Sequence, residues 1–409
     1  MEPITHFLTG ACIGRSGLNR KTAYATLVAV LAAEAADIDV LWGLGGPVEE
    51  LKHHRGITHT FITVPVVAAA TVGAVWLYDR LVTARRRRKS KAGSVPEGPG
   101  SVEVRGLPPI PQKKAEWMGH GAFIQNAKAP PTAQQPVRWG WLYLTALISA
   151  LSHLLLDWTN NYGLRPFYPF NPRWYEGSLV FIVEPVLLAL LGSALVIPAL
   201  LGLVGGEIGA RRPAFRGRGW AIFGLSAMVL LWGWRGAEQG RARMLLQNTQ
   251  VATTPVKRVA LEPYPINPFR WHAILETNGY YQTAEVNTFS GEIVSDPLQD
   301  VIFKPSVTPA VEAAKLTPLG QIYLDWGSWA VVRDMGPEPI PGNVRGLDPP
   351  RLTPYRQWTT VEFTDLRFET SIFGLGRGAG GNVPPLSGWV YIVDGRDDAG
   401  EAMSGRVQR

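Results

Sequence analysis

The chain has 409 residues, 46% hydrophobic and 18% charged, with 15 tryptophans and a single cysteine, Cys12. That composition excludes whole-chain disorder and a coiled coil; one cysteine excludes an internal disulfide and a Cys-based zinc cluster, so any metal must sit on His and carboxylates. The net charge of +7 belongs to the first half, because residues 240–409 carry 16 Lys+Arg against 18 Asp+Glu. Basic charge beside long apolar runs is membrane-orientation charge, not a nucleic-acid footprint.

In chain order, residues 3–15 form a short first helix of about 20 Å, less than the ~30 Å hydrocarbon core, so it must pack on other helices. Met1 has neither the basic start nor the cleavage site of a secretory signal behind it and is expected to stay in the mature protein. Residues 22–44 form a second helix, apolar at first and then carrying Glu34, Asp37 and Asp39. Each acid costs about 2.5–3.5 kcal/mol at a helix centre in a bilayer, so the three need partners or water. Residues 58–83 (THTFITVPVVAAATVGAVWLYDRLVT) form a third helix that runs into the basic stop Arg85-Arg86-Arg87-Arg88-Lys89. Residues 139–156 and 220–234 are shorter spans with tryptophan near their ends, and residues 179–205 form a long one interrupted by Glu184-Pro185.

Arg15, Arg20 and Lys21, the loop 84–138 with 11 Lys+Arg against 3 Asp+Glu, and the basic loop 211–218 all fall on one side of a six-helix arrangement. That side is cytoplasmic by the positive-inside rule, which leaves Met1 and everything beyond about residue 240 outside. Residues 92–135, rich in Pro, Gly and Ser, are expected to be a flexible cytoplasmic linker without chemistry. No internal repeat is evident.

After residue 240 the period shifts towards 2. Residues 271–293 hold two β-rich runs broken at Asn278-Gly279 and Ser290-Gly291, and residues 322–333, 358–368 and 389–393 are further strand candidates. The expected architecture is an α-helical membrane bundle of five or six helices, residues 1–239, followed by a small soluble all-β domain, residues 240–409, of five to seven strands. Its end, residues 394–409, should be frayed.

The chemistry collects at helix ends. His6, Asp37 with Asp39, His59, and His153 with Asp157 come from four helices, yet the charge rule places all of them on the outer side. His153 and Asp157 are one turn apart on one helical face, so both can address one atom. Imidazole nitrogens and carboxylates are the ligands of divalent ions, and one or two ions are compatible with this set. Blander readings exist for each patch: His6 as a capped surface residue, Asp37 and Asp39 as loop acids, His153 and Asp157 as a bonded pair inside the bundle, and His53 and His54 as solvated loop residues. Glu184 is either a cavity-lining group or a buried acid at a proline kink. His120 and His272 fall outside the cluster. No P-loop, dinucleotide fingerprint, nucleophile elbow or HExxH is present.

The order Thr5-His6, Ala36-Asp37-Ile38-Asp39, His54-Arg55-Gly56-Ile57-Thr58-His59, then His153 and Asp157 followed by Asn160 and Tyr162-Gly163, resembles the YdjM/YbcI/YfhP family. Those are bacterial inner-membrane proteins described as predicted metal-dependent hydrolases. The match is sharp over about residues 1–180, with PYPINPFRWH (residues 263–272) similar to members with a longer tail; it departs at Ala36, where Pro is usual. The resemblance implies a metal shell of His6, Asp37, Asp39, His59, His153 and Asp157. It also implies a divalent ion, zinc first and manganese second, and hydrolysis at a multi-pass inner-membrane site with the tail periplasmic. Asp39 or His54 is then the expected general base and Arg55 the group that stabilises developing negative charge. The expected partners are the lipid bilayer and an ester or phosphoester of lipid type. The tail's own partner is not indicated. An ion-binding transporter or sensor and a structural scaffold are the alternatives.

Overall fold

The computed structural model describes residues 1–93, 135–207, 217–340, 357–369 and 384–403. The expected linker, His120 and most of the basic loop 211–218 lie outside the described residues. The N-terminal half contains α1 (Pro3–Arg15), α2 (Ala25–Glu34), a 3-10 segment (Ala35–Gly45), α3 (Pro47–His53), a short 3-10 turn (Ile57–His59), α4 (Thr63–Gly93), α5 (Trp139–Thr159), α6 (Pro185–Glu207) and α7 (Arg218–Asn248).

Three of these are long and apolar enough to cross a membrane: Thr63–Ala84, Trp139–Thr159 and Pro185–Leu203. The expected second span is corrected. With 10 residues α2 reaches only about 15 Å, and the chain then tightens into 3-10 winding, which turns Asp39 into the protein while Asp37 stays half-buried. A straight α-helix through residues 22–44 would have set the two acids about 200° apart, on opposite faces. Nor does the fifth helix begin at residue 179: Glu184 and Pro185 start α6 instead of kinking it. The apolar stretch 220–234 is the first half of α7, which at 31 residues is about 46 Å long. Its second half leaves the apolar layer and supports the tail.

Helix α1 lies directly against α2 because Gly10 and Gly14 have no Cβ. An added Cβ would sit 2.7 Å from the Ala29 carbonyl oxygen at Gly10 and 2.5 Å from the Thr26 Cα at Gly14. Those neighbours are backbone and cannot rotate away. Gly14→Leu is therefore expected to separate the helices and destabilise the protein by at least about 1–3 kcal/mol, the usual range for overpacking. A thermal midpoint within error of wild type would show that the helices do not meet this closely.

Among its described residues the tail has nine strands, more than the five to seven expected, in two antiparallel sheets. The first joins β1 (Arg258–Pro263), β2 (Arg270–Glu276), β3 (Tyr280–Asn287) and β4 (Glu292–Val294), with β5 (Val301–Phe303) also on β3. Its turns fall at the two dipeptides expected from the sequence. Trp271, Ala273 and Leu275 pack on Ala242 and Leu246 of α7, while Ile274, on the opposite face, shares a cluster with Val331 of the second sheet and Trp329 just before it. Period-2 alternation thus buries β2 on both sides.

Helices α8 (Pro309–Leu316) and α9 (Pro318–Trp326) come next, so the tail is not purely β. Each opens with Pro behind a threonine whose side chain accepts an N–H of the first turn, a helix start that β-propensity alone overlooks in residues 322–326. The second sheet runs β6 (Ala330–Asp334), β7 (Trp358–Asp365), β8 (Gly388–Val393), β9 (Asp397–Met403), with α10 (Leu366–Glu369) closing β7. Where a frayed end was expected, β9 pairs with β8, from Met403 opposite Gly388 to Asp397 opposite Val393. Residues 404–409 lie outside the described residues. With α10 the described helices number ten, more than the five or six expected.

Two buried ionic links fasten the tail to the bundle. Glu184 meets Arg235 of α7 at 2.9 Å, and the same pair holds the tail's 264–266 turn through the Ile266 N–H and the Tyr264 carbonyl. Arg367 of α10 bonds Asp365, Glu176 and the Asn161 carbonyl. Beside it, burial pushes the Glu262 carboxyl up to about 8, reinforced by Glu176 and only partly opposed by Arg367. A carboxyl raised in the folded state adds stability that is complete below the ordinary Glu range and lost as pH rises through about 8. Glu262→Gln, which mimics the protonated form, is expected to flatten the fall in thermal midpoint between mildly acidic and mildly basic pH. Parallel pH profiles for the two proteins would count against a protonated Glu262.

Candidate metal centre

Four side chains converge where α2, the 3-10 segments and the end of α5 meet. One ligand atom from each of Asp37, His59, His153 and Asp157 lies within 4.8 Å of the other three. The imidazoles are oriented from behind. His153 Nδ1 is 2.6 Å from the Ala33 carbonyl oxygen. A carbonyl only accepts, so Nδ1 carries the hydrogen and Nε2 points inward with its lone pair. His59 Nδ1 lies 3.0 Å from Thr58 Oγ1 and 3.3 Å from Asp39 Oδ2; the Thr58 hydroxyl gives its hydrogen to Asp39, so Nδ1 carries its own, which assigns the same tautomer.

The two Nε2 atoms then stand 3.0 Å apart. Two lone pairs at that distance repel unless a proton or a cation lies between them. Asp157 Oδ2 is 3.3 Å from both nitrogens, and Asp37 Oδ1 is 3.4 Å from His59 and 3.6 Å from His153. Burial opposes charge on His59, but its contacts with Asp157 and Asp37 outweigh this and push the imidazole up to about 9. The pocket is therefore built for positive charge.

Asp157 divides its oxygens. Oδ1 receives Arg55 Nη2 at 2.7 Å and the Met1 ammonium, whereas Oδ2, aimed at the histidines, has no hydrogen-bond donor. Arg55 is held in turn by the Gly163 carbonyl at 2.8 Å and Asn160 Oδ1 at 3.3 Å, and stacks on Tyr162 at 4.7 Å. The segment 160–163 after α5 thus positions Arg55, and through it Asp157.

The expected site residues separate into layers. Asp37, His59, His153 and Asp157 form the convergent group. His6 lies against it, its ring 3.9 Å from that of His153 and its Nε2 3.4 Å from Asp157 Oδ1. Neither of its nitrogens makes a hydrogen bond, so it can serve as a fifth donor. Asp39, expected as a ligand or base, stands behind His59 and also accepts the Arg55 N–H at 2.8 Å. His54 is one step further out, 3.6 Å from Asp39. Arg55, expected to face a substrate, is occupied with Asp157. His53 stacks on Trp42 outside the centre, His272 pairs with Glu285 in the tail, and Glu184 belongs to the Arg235 link. The Ala33 carbonyl has no sequence signal, because any residue offers one.

A cavity of about 640 Å³ between the bundle and α9 is lined by Lys52, Arg165, Trp174 and Trp326 and ends at Asp39 and Thr58. Asp39 and Thr58, at its end, both contact His59 Nδ1.

Residues 1–242 match the family model described as YdjM inner membrane protein. The chain belongs to the YdjM inner membrane protein family. The match contains every one of the six candidate ligands and all three candidate spans, and it stops within α7, so the β-rich tail lies beyond it. Neither a curated protein nor a solved structure matches the chain. For this YdjM member, Asp39→Ala is expected to keep the fold but weaken metal binding by about 10–100-fold, the usual effect of losing the group that orients a ligand histidine. Unchanged affinity in a metal titration would remove Asp39 from the centre.

Proposed function

We propose that this protein is a membrane-embedded metal-dependent hydrolase that cleaves an ester or phosphoester of lipid type at the membrane interface. The observation that carries the reading is the pair of buried Nε2 atoms 3.0 Å apart, each fixed from behind and flanked by two carboxylates. That donor set fits zinc first and manganese second. His59, His153, Asp37 and Asp157 would hold the ion, with His6 in reserve for a fifth position or a second ion. A divalent ion there supplies Lewis acidity, polarising an ester or phosphoryl oxygen and making water a stronger acid.

The chain's own groups do the rest. Asp39 and the Ala33 carbonyl lock the ligand tautomers, and Arg55 neutralises one oxygen of Asp157 so that the other stays directed inward. Asp37, the one ligand that is not fully buried, marks the side from which water and substrate would reach the ion. Asp39, which lines the cavity, would relay protons from His59, with His54 behind it. The tail stands on the periplasmic side in this reading.

The test is elemental analysis of purified protein, followed by turnover assays on ester and phosphoester substrates for wild type and His153→Ala. One or two equivalents of metal, with hydrolysis that His153→Ala abolishes, would support the proposal. Metal-loaded protein that moves ions across vesicles but hydrolyses nothing would replace it with transport.

A further inference from the structure

His6, His59, His153 and Asp157 are fully buried, and among the ligands Asp37 alone reaches the surface, with 22% of its side chain exposed. The way in therefore passes Asp37. The tail covers another side of the centre. Tyr162, stacked on Arg55 and edge-on to His54, is covered by Trp326 at 4.9 Å and shares one core with Tyr323 and Phe363.

The surface beside Asp37 is of a different kind. The 3-10 segment Ala35–Gly45 has three residues per turn, so positions three apart eclipse one another. Ile38, Leu41 and Leu44 therefore stand in one row, and they are 60%, 57% and 90% exposed. Ile4 and Phe7, on either side of His6 in α1, are exposed as well. Exposed Phe61 and Ile62 lead from the same end of the bundle into the span of α4. The Ala35–Gly45 segment itself contacts α4, one of the candidate spans.

We infer that this row is immersed in the bilayer and that the centre opens sideways, past Asp37, to lipid: the substrate is a membrane lipid that enters from the leaflet. The substrate half of this inference rests on the hydrolase reading; the immersion of the row does not. Lateral entry brings the ester to the centre without lifting acyl chains into water. The cavity behind Asp39 meanwhile gives water its own approach.

The test uses full-length protein in phosphatidylcholine/phosphatidylglycerol nanodiscs, with bimane attached to Ile38→Cys or Leu41→Cys. Cys12 is buried and is replaced by Ala to keep labelling selective. The expected result is blue-shifted emission, lost with doxyl-labelled lipid and insensitive to aqueous iodide. Quenching by iodide and not by doxyl lipid would overturn the immersion. Wild-type protein is then assayed on bilayer phosphatidylglycerol and on water-soluble para-nitrophenyl phosphate. Faster cleavage of the lipid is expected, and a preference for the soluble ester would overturn lateral entry. If the protein holds no metal, the hydrolase reading fails while the quenching pattern still decides the position of the row.

Discussion

Asp157→Ala is expected to empty the metal centre and destabilise the bundle in one step, whereas His153→Ala empties it with a smaller loss of stability. Asp157 presents Oδ2 to both Nε2 atoms and Oδ1 to Arg55. Removing it deletes a ligand and strands a buried guanidinium that keeps only the neutral oxygens of Asn160 and Gly163. An uncompensated buried charge costs about 3–5 kcal/mol. His153→Ala removes a ligand but leaves the Arg55–Asp157 pair intact. Elemental analysis and thermal unfolding on the two variants separate the effects: both should lose metal, and Asp157→Ala should have the lower midpoint. Full metal content in Asp157→Ala would mean that the four side chains do not hold an ion.

Arg235→Ala should be the most damaging change outside the centre. Its guanidinium and the Glu184 carboxylate are both fully buried and 2.9 Å apart, beside the apolar helix α6. The lone Glu184 charge left behind again costs about 3–5 kcal/mol. The loss would also reach the tail, because Arg235 donates to the Tyr264 carbonyl at 2.8 Å. Replacing both residues by Leu removes both charges and should recover most of the stability, as paired apolar replacements of buried ion pairs often do. Thermal unfolding with limited proteolysis of the tail tests this. A single variant as stable and as protease-resistant as wild type would show that the pair is hydrated.

The site was more legible than the path of the chain around it. His153 and Asp157 announce themselves by i,i+4 spacing, and His59 and Asp37 by being costly groups at the ends of apolar segments. Asp39 stands behind His59 and not in the convergent group, a distinction the sequence does not carry because a carboxylate two residues from Asp37 reads the same in either place. The second helix was extended too far because hydropathy does not register the change from 3.6 to 3.0 residues per turn after Glu34. In the tail, β-propensity located β2, β3, β7 and β8. It missed α9, whose Ile322, Tyr323 and Trp326 are strand formers that Thr317 and Pro318 turn into a helix. The Arg235–Glu184 link was invisible, since the two residues are 51 apart and nothing local joins them.

Residue chemistry and periodicity alone place the apolar helices, confine the metal ligands to His and carboxylates, and put β-strands after residue 240. These are properties of short windows, where side-chain type and spacing dominate. Tertiary contacts decide which nitrogen of each histidine faces the centre, which aspartates converge with the histidines and which stands behind them, and which face of the site the tail covers. The tautomer of His153 depends on the Ala33 carbonyl, 120 residues earlier, and the covering of Tyr162 depends on Trp326 of the tail. Orientation at a buried site is set by whichever groups the fold brings within hydrogen-bonding distance, and at such separations only the folded chain brings them there.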